Sequence, residues 1–401
     1  MKIRIALLFL TAVAGWSATV PAGTKLQVRL TTEVSSDKPS GQPVSAVLIV
    51  PALVGTQPAI SAGATLTGTT ADANTFQAAT DQVKERAATL RLLFTRIQDE
   101  GGHAQPLECV VEGVDNARES VDQSGLITGI VASQTMEAEI EKGISKVESR
   151  YQQLGQILSS VKGALLKNVD ASIDYKPGVE LTLRLTKPLE WKAPAASNIP
   201  APITPQDQLV ALVNAEPFRT AALNPPRPSD LTNLMFIGTA EQVEEAFREA
   251  GWFAANALSQ FSKFETARAI IEDRGYSEAP MSILYIDGKP PDFTFQKQND
   301  TFAMRHHIRI WRRPETFAGK PVWIAAATHD IKISISPVTH SFTHGIDSNI
   351  DQERSKVMSD LLFTRRVHAV ALVDRNGLPR DASNATGDKL ATDGRMGVLE
   401  F

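Results

Sequence analysis

Five of the chain's seven histidines fall between residues 306 and 344, in segments that are also rich in arginine and aspartate. Imidazole, guanidinium and carboxylate groups bind metals, hold anions and move protons, so chemistry is to be sought here first. From Met304 to Arg313 a period of two puts Arg305, His307, Arg309 and Trp311 on one face and Met304, His306, Ile308 and Ile310 on the other. The first of these faces is polar and cationic. Thr328-His329-Asp330 follows, and then a longer run, Thr343-His344-Gly345-Ile346-Asp347-Ser348-Asn349-Ile350-Asp351-Gln352-Glu353-Arg354. Ser348 with Asp351 resembles a capping box, which predicts a helix start with His344 and Asp347 on its N-terminal approach.

Three uses of these residues compete. His344, Asp347 and Asp351, helped by His329 or Asp330, supply ligand types that suit a divalent metal, although the spacing matches no standard motif. Arg309, His307 and the helix start near Ser348 suit an anionic group such as a phosphate, which a guanidinium fork and a helix dipole both favour. Arg309 and Arg354 could instead pair with Asp330, Asp347 or Asp351, beside Trp311 and Trp323, as a structural polar network. The residues alone leave these open, assign no catalytic residue and name no cofactor. There is no Gly-x-Ser-x-Gly elbow, P-loop, dinucleotide fingerprint, His-Glu-x-x-His or paired Cys-x-x-Cys. The sole cysteine, Cys109, lies on an alternating segment with Leu107 and Val111 and reads as core.

The elements that must position these groups divide the chain into two halves. Residues 19–190 read as an antiparallel β-barrel or sandwich, with strands expected at Leu26–Leu30, Val44–Val54, Leu66–Thr70, Ala88–Ile97, Leu107–Val114 and Val179–Leu185. Within that half, apolar residues from Met136 to Leu165 recur at spacings of three and four, which predicts a helical insertion over 133–167. The heptad stripe suits a coiled coil that dimerises the chain or grips an envelope partner, or a long helix folded back on its own domain; Gly143, Gly155 and Gly163 favour packing on the domain or a broken helical hairpin. Prolines crowd residues 191–228, which read as a linker. Residues 229–401 mix strands with helices at Thr239–Ala250, Leu258–Asp273 and Ile350–Phe363, an α+β domain with a mostly antiparallel sheet. The expected class for the whole chain is therefore α+β.

Compartment is written at the N-terminus. Met1 to Arg4 is cationic, Ile5 to Val13 is apolar, and Ala12-Val13-Ala14 is a small-x-small signal, so residues 1–18 read as a cleaved secretory leader. The apolar run is about half the length needed to cross a bilayer, and no other stretch reaches that length, so no transmembrane segment is expected in the mature chain. Forty-one Lys and Arg against 45 Asp and Glu give a formal charge of −4, and losing Lys2 and Arg4 takes it to −6. With no basic stripe, that balance argues against a nucleic-acid partner. The reading is an exported protein of the periplasm or cell envelope.

The C-terminal half also resembles a known family. Asp230, Asn233, Phe236-Ile237-Gly238, Leu284-Tyr285-Ile286-Asp287-Gly288, His307-Ile308-Arg309-Ile310-Trp311, Asp330, His344-Gly345-Ile346-Asp347, Asp351-Gln352-Glu353-Arg354 and Thr392-Asp393-Gly394-Arg395 are similar in order and spacing to the LssY-like C-terminal domain. The resemblance covers about residues 229–401 and none of the N-terminal half. It implies that His307, Arg309, Trp311, Asp330, His344, Asp347, Asp351, Glu353 and Arg354 form one constellation. The family's name comes from a component of a type I secretion locus, and its domain often sits beside membrane-embedded lipid phosphatases. No multi-span region and no Pro-Ser-Gly-His is present here, so that activity does not carry over. Three functions remain: a ligand- or partner-binding envelope protein, a hydrolase of the phosphoester class, and an assembly subunit organised by the heptad segment.

Overall fold

A computed structural model describes residues 18–55, 57–77, 82–131, 172–191, 200–223, 226–254, 283–297, 304–335, 342–377 and 381–401. Period-two burial dominates the N-terminal half. In β2 (Lys25–Leu30), Leu26, Val28 and Leu30 are buried, and the same alternation places Leu181, Leu183 and Leu185 inside β9 (Glu180–Leu185). With β3 (Pro43–Leu48), β4 (Thr65–Asn74), β5 (Thr89–Gln98), β6 (Cys109–Val114), β7 (Ser120–Val121) and β8 (Leu126–Thr128), these strands run in the order β6-β9-β2-β3-β4-β5-β8-β7, every pair antiparallel. The chain returns from β5 to β6 through a hairpin in which the Leu107 amide donates to Thr95 O at 2.9 Å, and the sheet forms a nearly closed eight-strand barrel. A short edge pair, β1 (Ala18–Val20) with β10 (Leu189–Trp191), ties the first described residues to the end of this half.

The C-terminal sheet adds β11 (Ala201–Pro202), β12 (Leu234–Ile237), β13 (Trp252–Ala254), β14 (Phe293–Lys297), β15 (Arg305–Phe317), β16 (Lys320–Ile335), β17 (Phe342–Ile346), β18 (Ala369–Asp374) and β19 (Arg395–Glu400). Their order is β11-β18-β19-β12-β16-β15-β14-β13, with β17 on β16; only β11–β18 and β12–β19 are parallel. Helix α1 (Gln206–Ala215) buries Leu209 and Val213 on one face of the sheet with Trp311, Ile324 and Val398. On the other face, α2 (Ala240–Glu249) and α3 (Ile350–Phe363) bury Phe247, Val357 and Leu361 with Ile308, Ile310 and Ala325. Thr239 caps α2 through a reciprocal box with Gln242, as expected for a Thr preceding an amphipathic run.

This architecture corrects the α+β expectation. Among the described residues strands hold 52% and helices 12%, so this part of the chain is mostly β rather than α+β. The helical periodicity behind that reading sits in 133–167 and 258–273, which lie outside the described residues. Elsewhere alternation prevails: β15 and β16 extend over 13 and 16 residues. The described part of the proline-rich segment is also built into the C-terminal half, through β11, α1 and a hairpin of Arg219–Leu223 with Pro226–Leu231.

Candidate functional site

Register decides which polar groups of β15 and β16 meet. His306 lies directly opposite His329, Arg305 opposite Asp330, and His307 opposite Thr328. Neighbours along a strand point to opposite faces, so these pairs divide into two separate sites. His306 and His329 share the face of Ile308 and Ile310, the face that α3 covers. Their rings stack with centroids 4.0 Å apart and planes 16° from parallel.

Around this pair the two halves of the chain enclose a cleft of about 500 Å³. His306 Nδ1 lies 2.7 Å from Glu353 Oε2, on the first turn of α3. Its Nε2 lies 3.1 Å from Oδ2 of Asp115, the residue that follows β6. Asn116 Oδ1 is 2.8 Å from His329 Nε2. Burial alone would lower the His306 pKa, but the Glu353 and Asp115 carboxylates reverse this and hold it well above the usual histidine value. His329 is pushed the other way, first by burial and then by the neighbouring charge of His306. The two stacked rings are thus shifted in opposite directions. Glu353 is only 3% exposed, and its second oxygen, Oε1, has no hydrogen-bond partner among the described residues. Asp347, Gln352, Ser355, Lys356 and Glu180 complete much of the lining.

Beneath the cleft the halves share a buried charge network. Arg29 donates from Nε and Nη2 to Glu180 Oε1 at 3.0 and 2.8 Å and from Nη2 to Asp360 Oδ1 at 3.2 Å. Lys297 reaches Glu180 at 2.8 Å and Asp360 at 3.0 Å, Lys356 reaches both at 2.7 and 2.9 Å, and Trp252 Nε1 donates to Asp360 at 2.9 Å. Arg29 and Glu180 come from the barrel; Lys297, Lys356 and Asp360 come from the C-terminal half.

The other residues singled out in the sequence lie elsewhere. His307 and Arg309 occupy the opposite face of β15, where Arg305 donates to Asp330 at 3.0 Å, Arg309 to Asp230 at 3.2 Å, and His307 Nε2 sits 2.6 Å from Thr328 Oγ1. All are buried, and Trp311 belongs to the core beneath α1. Burial raises the Asp230 pKa against the pull of Arg309. Asp351 and Arg354 leave the cleft for the segment before β19. Arg354 grips Asp393 through both Nη atoms at 2.9 Å, while Asp351 accepts from Thr392 Oγ1 at 2.8 Å and from the Asp393 amide at 2.5 Å. The helix starts at Ile350 with Asn349 as N-cap and no side-chain cap, and Asp347 Oδ1 accepts from the Asn349 amide at 2.9 Å. The backbone of His344 lies in β17, opposite Ile333. From the sequence-derived set, then, His329, Asp347 and Glu353 meet at the cleft, and His307, Arg309, Trp311, Asp330, Asp351 and Arg354 do not.

His306, Asp115, Asn116, Glu180 and Lys356 were missed. His306 shares a strand face with Ile308 and Ile310, and Asp115 and Asn116 come from the other half of the chain. The only pointer was the adjacency of His306 to His307. Cys109 carries no reactive signature: burial pushes its thiol up to about 12.

Residues 221–396 match the family model described as LssY C-terminus, and no family model matches the N-terminal half. No curated protein matches the chain. Among solved structures, that of ComB10 of the Com type IV secretion system of Helicobacter pylori is 13% identical, covering 44% of this chain and 92% of that one at a TM-score of 0.23, a likeness too slight to carry any argument. Among the described residues, no helix is long and apolar enough to cross a membrane.

Proposed function

We propose that this chain, an LssY C-terminal domain joined to an N-terminal β-barrel, is an exported binding protein of the bacterial cell envelope. Its ligand is a small cation held in the cleft between the two halves. The observation that carries the reading is Glu353, buried at the cleft with one oxygen on His306 and the other without a hydrogen-bond partner among the described residues. A buried carboxylate oxygen left unsatisfied costs about 1–3 kcal/mol or more, and an incoming cation would offset that cost. Charge favours a cation over an anion. Four carboxylates, Asp115, Glu180, Asp347 and Glu353, line the cleft, against Lys356 and the two imidazoles. The anion reading suffers further because Arg309 is occupied by Asp230, away from the cleft.

The test uses tag-free protein recovered from a periplasmic extract, whose mass should show that the leader has been removed at or after Ala14. Thermal melts are recorded with Mg²⁺, Ca²⁺, Zn²⁺, putrescine and spermidine, and with phosphate and citrate. At least one cation should raise the melting temperature of the wild type and leave Glu353→Gln unmoved, while neither anion acts. Stabilisation by phosphate or citrate alone, or by nothing in the panel, sinks the proposal.

A further inference from the structure

Resting on that reading, we infer that the cation is a divalent transition metal of the zinc type, and that its ligands are His306, His329 and Glu353. Two imidazoles and one carboxylate form the donor set of open zinc sites and of other divalent transition-metal centres. The potential ligand atoms of these three side chains all lie within 4.8 Å of one another. Magnesium and calcium prefer oxygen ligands throughout, and no thiolate stands nearby to select a softer ion.

The hydrogen bonds from the barrel strengthen the case, because they select the imidazole nitrogens that can serve. Asp115 Oδ2 and Asn116 Oδ1 are both acceptors, and each faces the Nε2 of one histidine. Each acceptor therefore places a proton on Nε2, which leaves Nδ1 as the nitrogen with a lone pair to give. On His306 that nitrogen is the one beside Glu353, at 2.7 Å. A carboxylate or amide oxygen on the far nitrogen of a ligating histidine is the usual outer support of a metal site, fixing tautomer and ring orientation together. Without metal, a proton bridges His306 Nδ1 and Glu353. Binding would release that proton to solvent, and Glu353 would hold the ion through its carboxylate, the unpaired Oε1 included, beside one nitrogen each of His306 and His329.

Metal titration separates this site from a closed polar cluster that binds nothing. Tag-free mature protein is stripped with EDTA, dialysed and titrated with ZnCl₂ by calorimetry; in parallel, CoCl₂ is added and the visible spectrum recorded. One Zn²⁺ should bind per chain with release of a proton, and Co²⁺ should develop the visible band of a low-coordinate nitrogen and oxygen site. His329→Gln and Glu353→Gln should abolish both signals, with circular dichroism confirming that each variant is folded. Asp115→Asn, which touches only the far nitrogen of His306, should weaken Zn²⁺ by about 10–100-fold and preserve the Co²⁺ band. Absence of stoichiometric Zn²⁺ binding, or wild-type affinity in folded His329→Gln and Glu353→Gln, overturns the inference. If Zn²⁺ fails while putrescine or spermidine stabilises the wild type and not Glu353→Gln, the metal falls and the cation-binding cleft stands. If every cation fails, both fall together.

Discussion

At the scale of single residues, adjacency along a strand proved a poor guide to shared function. His306 and His307 differ by one position, yet one closes a solvent-reachable cleft and the other sits in a buried polar layer with Thr328 and Asp330. His306 also gives the chain a pH dependence. The charged groups facing it are Glu353 from α3, Asp115 from the loop after β6 and the neighbouring His329. Its folded pKa stands well above its unfolded value of about 6.5, so the stability it contributes is fully present below that value and is lost as the pH rises through the folded pKa. Melting temperature measured in EDTA should accordingly fall as the pH rises above about 6.5. Glu353→Gln, which removes the carboxylate nearest the ring, should flatten the decline, and an equal slope in both proteins would count against it. The period-two pattern made the separation of Arg305, His307 and Arg309 from His306 legible in the sequence. Which of the two faces met a cleft was not legible, because Asp115 and Asn116 arrive from residues some 190 positions away.

At the scale of elements, α3 works on two sides. Residues 351 and 354 clamp onto the segment before β19, and residues 352, 353, 355 and 356 face the cleft. The run Asp351-Gln352-Glu353-Arg354 therefore serves two ends, which its composition alone could not divide. Arg354 is 4% exposed and bidentate on Asp393, whose carboxyl the Arg354 and Arg395 guanidiniums hold below the usual range despite partial burial. Arg354→Lys keeps the charge but loses the planar fork. It should cost about 1–3 kcal/mol of unfolding free energy in urea, and it should disturb the cleft indirectly by loosening the first turn of α3. No loss of stability would show that the clamp is dispensable. Capping of α2 by Thr239 and the strand alternation were readable in advance because they depend on neighbours in sequence. The clamp was not, because Asp393 lies 39 residues from Arg354.

At the scale of the whole molecule, the two halves meet through charges that neither could bury alone. Asp360 accepts from Arg29, Lys297, Lys356 and Trp252 and is 2% exposed. Asp360→Asn leaves three cations around one remaining carboxylate, Glu180, and breaking a buried pair in this way costs about 3–5 kcal/mol. Calorimetry should then show the single transition of the wild type lowered or resolved into two as the halves uncouple; an unchanged profile would mean that the junction contributes little. The same junction carries a consequence for the family span. Residues 221–396 include His306, His329 and Glu353, whereas Asp115 and Asn116 lie outside it. A chain that kept this C-terminal span and exchanged its barrel for another module would inherit the three candidate ligands but lose the two oxygens that set which nitrogen of each ring is free. What such proteins capture, and how tightly, would then be set by the neighbouring module, much as a lens is set by its mount.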